Sequence, residues 1–246
     1  MTTERRNDLK FAGRMTIPGG IYKRVTCDGE ITIDGDTDCL ELRVNGKFNG
    51  TGNMKAANAI IKGGADFGGD LKTKDFKVFG EGTVDGNLSG GEIRVDGKLS
   101  ARKDIKLERA VINGQLIARG NCEAESFVCS GSAEIAGSLN AGDIVFKMYG
   151  PCHAAEIGGE KINVRKGHEG PLGKIASALF DTFSFHQSRL EAETIEGDHV
   201  YLEYTSAKVV RGGRVTIGPG CEIDRVEYRT DYKAAAGTSV LQHVKV

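Results

Sequence analysis

The sequence predicts an all-β chain wound as a three-sided parallel β-helix with about 17 residues per coil, and three observations predict it. Glycines recur as Gly29, Gly46, Gly63, Gly80, Gly97, Gly114 and Gly131, each 17 positions after the last. A second series trails the first by six positions as Gly35, Gly52, Gly69, Gly86, Gly120 and Gly137, broken only by Lys103. Apolar doublets keep the same phase: Val25, Leu42, Ala59, Phe76, Ile93, Ala110 and Phe127 stand four before the leading glycines, and Cys27, Val44, Ile61, Val78, Val95, Ile112 and Cys129 two before.

An apolar residue at i and i+2 that runs into a glycine reads as a short half-buried strand followed by a corner. Further doublets come later in each coil, such as Leu99 with Ala101 and Ile105 with Leu107, which gives three short strands per repeat. The glycines serve the corners, where a positive φ is easier for glycine than for a residue with a Cβ. Asp28, Asn45, Asp96 and Asn113 precede four of them as Asp-Gly or Asn-Gly pairs, strong turn signals. A hairpin meander uses the same pairs but has no reason to hold one phase through seven coils.

Taken in order, residues 1–12 are polar apart from Leu9 and Phe11 and read as a flexible tail. The main β-helix is expected over 13–167, opening at Gly13 with Met15, Ile17, Gly19 and Ile21 at familiar offsets. Past Gly131 the phase slips by two residues to Gly150, and Gly167 follows 17 later. Over 168–192 the pattern gives way to Leu172, Ile175, Ala176, Leu179, Phe180 and Phe183, the period of an amphipathic helix, with Pro171 suited to its first turn. Such a helical insert lays its apolar face on the β-helix or docks on a membrane or partner. A second, shorter stack is expected over 193–246, with Ile195, Val210, Val226 and Leu241 spaced 15, 16 and 15. Periodicity leaves open whether it continues the first stack or folds back beside it.

Composition narrows the function classes. Thirty-three basic against 34 acidic residues, interspersed, give a net charge of −1 and a poor electrostatic case for nucleic acid. Near-neutrality leaves little repulsion between copies of the chain. Cys27, Cys39, Cys122 and Cys129 occupy inward positions of the repeat and read as small core residues, with no paired zinc spacing. The N-terminal residues lack an apolar stretch of signal-peptide kind, so a reducing, cytoplasmic setting is expected. The histidines His153, His168, His186, His199 and His243 are scattered without metal spacing. Asp28, Asp34, Asp85 and Asp96 precede corners, where the turn explains them, and Lys47, Lys98, Arg102 and Arg119 read as solvated surface. No catalytic, cofactor-binding or metal-binding residue is expected.

A β-helix end exposes unpaired backbone groups over an apolar cross-section and so templates another copy. The expected self-assembly residues are therefore Met15, Ile17, Ile21 and Val25, with the seven leading glycines as structural corners. The runs Ile93-Arg94-Val95-Asp96-Gly97-Lys98-Leu99, Ala110-Val111-Ile112-Asn113-Gly114 and Phe127-Val128-Cys129-Ser130-Gly131 resemble the bactofilins, bacterial polymer-forming cytoskeletal proteins. The resemblance spans residues 25–150 well and the second ladder loosely. It implies a right-handed β-helix that assembles without nucleotide as a non-enzymatic scaffold in cell shape, motility or envelope processes. Its partners would be itself and cell-envelope or membrane-associated proteins, in the cytoplasm or at the inner face of the membrane. The insert and second stack depart from the uninterrupted plan of that family, and its membrane-targeting segment has no clear match. Two rival readings are a left-handed β-helix acyltransferase, whose coils are each three hexapeptides, and a β-helical polysaccharide lyase or hydrolase, whose coils sprout long loops. Seven coils of constant length without insertion, at a step that is no multiple of a hexapeptide, fit neither.

Overall fold

The computed structural model describes residues 6–167 and 188–246, in two compact units, Met1–Glu108 and Arg109–Val246. Each is a parallel β-solenoid, and the described residues contain no helix.

In the N-terminal unit β1 (Asn7–Gly50) winds through the opening coils, followed by β2 (Met54–Phe67), β3 (Leu71–Val84), β4 (Leu88–Val95) and β5 (Lys98–Ala101). β1 pairs with β2 from Thr37↔Met54 to Gly50↔Phe67 and β2 with β3 from Met54↔Leu71 to Phe67↔Val84, every residue opposite its equivalent in the next repeat. β3 pairs with β4 and β5 at the same step. Because strand side chains alternate, each in-register coil puts its apolar residues on top of those below. Leu42, Ala59, Phe76 and Ile93 form one buried column, and Val44, Ile61, Val78 and Val95 another. Large residues are matched with small ones, as close packing requires: a Cβ on Gly50 would stand 3.1 Å from the Phe48 ring, whose centroid lies 4.9 Å from that of Phe67.

Two backbone ladders fix the corners. At Gly46 (φ 133°) and Gly63 (φ 124°) the chain is left-handed, and a Cβ at either would overlap the carbonyl oxygen of the preceding glycine of the column. Each glycine thus makes room for the next. The second ladder has no counterpart among the sequence expectations: the residues one after the trailing glycines are Asp36, Asn53, Asp70 and Asn87. Asp36 Oδ1 accepts the Asn53 N–H at 2.7 Å, Asn53 Oδ1 accepts that of Asp70 at 2.9 Å, and Asp70 Oδ1 that of Asn87 at 2.7 Å. Asp and Asn alternate, so no two carboxylates fall on adjacent coils, about 4.8 Å apart.

β6 (Ile105–Ile112) contains the division between the units. The C-terminal unit continues with β7 (Gln115–Ala118), β8 (Cys122–Lys166), β9 (Leu190–Leu202), β10 (Thr205–Ile217), β11 (Glu222–Ala234) and β12 (Ser239–Lys245). β8 pairs with β9 in parallel, Cys152↔Leu190 through Val164↔Leu202, so the ladder after residue 188 continues the coil before residue 167. The columns Ile157, Ile195, Val210, Val226 and Ile162, Val200, Val215 are buried throughout.

Four expectations are corrected. Residues 7–12 are not tail but the opening of β1, since backbone pairing and half-burial of Leu9 and Phe11 reward the ordered strand. The slip after Gly131 is a single position, not two: Gly150, Gly158, Gly159 and Gly167 approach Ser132, Asn140, Ala141 and Tyr149, a step just one longer than the repeat before it. Leu241 does not extend the second ladder; Val226 pairs with His243, and Leu241 is 76% exposed. Leu190–Ala192, read as the end of the helical insert, already belong to β9, whereas residues 168–187 lie outside the described residues.

Candidate assembly surface

The opening layer of the N-terminal unit gathers three of the four predicted assembly residues, Met15, Ile17 and Ile21, and adds two. A Cβ on Gly29 would overlap Gly13, and one on Gly19 would overlap the Gly35–Asp36 backbone, so the first coil is shorter than the later ones by a single position. That offset puts Leu9 and Phe11 in the columns of Val25 and Cys27, and Met15, Ile17 and Ile21 in those of Ile31, Ile33 and Thr37. All five are apolar. Met15 is 44% and Ile21 41% exposed, Leu9 and Phe11 are half-buried, and Ile17 is 9% exposed. Val25 is fully buried in the next layer and offers nothing to a partner. Leu9 and Phe11 escape the sequence reading because they precede the first glycine of the ladder.

Charge-assisted contacts hold this layer to the coils above and those coils to one another. Arg6 Nη1 donates to Asp38 Oδ1 at 2.8 Å and to the Tyr22 carbonyl at 3.2 Å. Arg14 Nε donates to Glu30 at 2.8 Å and Arg24 Nε to Glu41 at 2.6 Å. The Arg6 hydrogen bond holds the Asp38 carboxyl below the usual carboxylate range, and that of Arg24 does the same for Glu41. Tyr22 donates its hydroxyl to the Pro18 carbonyl at 2.7 Å, which folds the exposed corner onto itself.

The other candidates find structural partners. Gly29, Gly46, Gly63, Gly80 and Gly97 form the corner column of the N-terminal unit, and Gly131 stands against Gly114 in the C-terminal one. Asn45 donates to Asp28 at 2.7 Å and Thr51 to Asp34 at 2.9 Å, while Asp85 pairs with Arg102 at 2.9 Å and Asp96 with Arg94 at 2.7 Å. Arg119 pairs with Glu134 at 2.9 Å. The six cysteines are free and buried, and burial pushes the Cys39 and Cys122 thiols up to about 12. His153, His199 and His243 are described, whereas His168 and His186 lie outside the described residues. Among the described residues no three His, Cys, Asp or Glu converge on a metal-sized site, and no helix is long and apolar enough to cross a membrane.

A groove of about 900 Å³ runs along the C-terminal unit past Cys152, His153, Arg189, Tyr204 and Glu222. Its cations are engaged: Arg189 donates to Glu222 at 2.6 Å, and the Lys166 ammonium sits 4.8 Å from the Tyr204 ring centroid. Tyr204 takes a left-handed φ of 47° at a coil corner, and its N–H reaches the Pro219 carbonyl at 2.9 Å.

The chain is similar to two Bacillus subtilis (strain 168) proteins, each named as uncharacterized. To YhbF it is 44% identical over 98 residues, covering 39% of this chain and 36% of that protein. To YhbE it is 38% identical over 116 residues, covering 46% of this chain and 45% of that protein. The matched stretch thus spans less than half of these curated relatives. No family model and no solved structure matches the chain.

Proposed function

We propose that this protein is a non-enzymatic, self-associating scaffold of bactofilin kind, whose copies join through the opening layer of the N-terminal unit. The observation that carries the reading is the apolar layer of Leu9, Phe11, Met15, Ile17 and Ile21, in which Met15 and Ile21 are more than two-fifths exposed. In the later coils of the N-terminal unit the equivalent positions are buried, because a preceding coil lies beneath them. A second copy supplies that cover in kind, since it carries the same backbone edge and the same columns. Burying a few such side chains at roughly 1.5 to 3 kcal/mol each offsets much of the entropy lost on association. The setting is the cytoplasm or the inner face of the membrane, with cell-envelope proteins as further partners.

The test is assembly size. Ile17→Asp with Ile21→Asp should reduce the particles seen by light scattering and electron microscopy to single chains, with the β signal in circular dichroism retained. Assemblies of unchanged size in that variant would refute the reading.

A further inference from the structure

The last layer of the C-terminal unit is built differently from the layers below it. The column Ile157, Ile195, Val210, Val226 ends in His243, and the column Ile162, Val200, Val215 ends in Tyr232. In the glycine column Gly159, Gly197, Gly212 the next residue is Tyr228, with Lys245 following it on β12. The three rings stack on one another: Tyr228 and Tyr232 have centroids 5.4 Å apart at 23°, and Tyr232 and His243 4.7 Å apart at 26°. Beneath them Val226 is fully buried and Val215 is 1% exposed. Burial among these rings pushes the Tyr232 phenol up, as a desolvated hydroxyl should be.

The backbone edge of this layer is also blunted. β12 covers β11 only from Glu222↔Ser239 to Tyr228↔Lys245. Beyond that stretch β10 and β11 shift register at Gly212/Arg214, and β11 carries Arg229, Thr230, Asp231 and Lys233 in sequence. Arg229 is tied to Asp198 at 2.8 Å, and Thr230 Oγ1 donates to the Gly213 carbonyl at 2.7 Å. A bulge and charged side chains are devices by which sheets discourage a further strand.

We infer that the Tyr228–Tyr232–His243 cluster is a terminator: it closes the C-terminal layer to another copy, so that association stops at a pair of chains joined through their opening layers. This rests on the scaffold reading above. One sticky layer and one closed layer per chain give an isologous pair, whereas two sticky layers give open-ended growth. The rings offer a partner polar tips and an already stacked surface instead of unmatched aliphatic columns.

The experiment is sedimentation velocity and electron microscopy on the full chain and two variants, with circular dichroism as the fold control. The native chain should sediment at twice its 26.3 kDa mass. Replacing the cluster by the residues of the coil beneath, Tyr228→Gly, Tyr232→Val and His243→Val, should yield assemblies of many chains. Tyr228→Phe with Tyr232→Phe, which keeps the rings, should leave pairs. Filaments from the native chain, or a cluster variant that folds and still stops at pairs, would overturn the terminator while leaving the scaffold reading standing. A native chain that stays single at high concentration would overturn both. If the triple variant does not fold, His243→Val alone decides: growth beyond pairs supports the terminator, and pairs overturn it.

Discussion

In the N-terminal unit the coil step holds at 17 from Gly29 to Gly97, whereas in the C-terminal unit successive steps outside 168–187 run 17, 18, 15, 16 and 17. The apolar columns persist in both, so they do not set the step. What differs is the corners. The left-handed glycine column and the Asp/Asn ladder run through the N-terminal unit and extend as far as Gly131 and Ser138, where Asn121 Oδ1 accepts the Ser138 N–H at 3.0 Å. Between Gly131 and Gly220 no described glycine is left-handed. Stacked side chains hold one coil on the next, but backbone ladders at the corners count the residues between them. Where the ladders stop, a coil can lengthen or shorten slightly and still present its columns.

The largest expected effect contrasts two neighbouring glycines. Gly63→Ala places a Cβ against the Gly46 carbonyl on left-handed backbone and should destabilise by about 3 kcal/mol or more. Gly64→Ala meets nothing within 4 Å and should be neutral or stabilising by about 0.5 kcal/mol. Gly150, with no positive φ and a Cβ position 3.2 Å from that of Ser132, should fall between them on replacement by alanine. Chemical denaturation of the three variants ranks them. Equal losses at Gly63 and Gly64 would remove the glycine column as the source of constant step length.

The Asp/Asn ladder gives the next effect. Asn53→Ala leaves the Asp70 N–H without its acceptor and should lose about 1 to 2 kcal/mol. Asn53→Asp keeps the acceptor but puts carboxylates on three successive coils, with Asp36 and Asp70 on either side. A loss of about 1 kcal/mol is expected, shrinking in high salt as screening requires. Thermal melts at two ionic strengths would show it, and a salt-independent loss would mean that packing, not charge, governs the alternation.

The columns are legible from sequence because phase and polarity agree at each position: Leu42, Ala59, Phe76 and Ile93 announce themselves as one line. The Asp/Asn ladder keeps the same phase and stays hidden, because Asp and Asn beside glycine are already explained as turn formers. Only the coordinates show that each side chain reaches the next coil and not its own turn. Leu241 misleads for the opposite reason. It stands 15 after Val226, a step used earlier in the unit, whereas the true partner is His243, a polar residue that ends the apolar line. The opening layer is half legible: Met15, Ile17 and Ile21 follow Gly13, but Leu9 and Phe11 precede the first glycine and have no corner to count from.

The smallest effect tests how the opening layer is held while the rest of the unit stays folded. The Asp38 carboxyl is held below its ordinary range chiefly by the Arg6 hydrogen bond, with Lys55 contributing at 3.3 Å. A carboxylate whose folded value is depressed stabilises the structure at neutral pH, and that contribution disappears as pH falls through the folded value. Acid should therefore loosen the Asn7–Phe11 strand that follows Arg6. Both partners are about 30% exposed, so the loss should be at most about 1 kcal/mol. Amide exchange at residues 7–11, corrected for its intrinsic pH dependence, should accelerate relative to residues 54–67 as the solution is acidified. Arg6→Ala should give the same acceleration at neutral pH and abolish any further response to acid. If acid loosens both segments equally, the opening layer is not a separately held surface, and the contrast between its hold and that of the corner-locked coils above it fails.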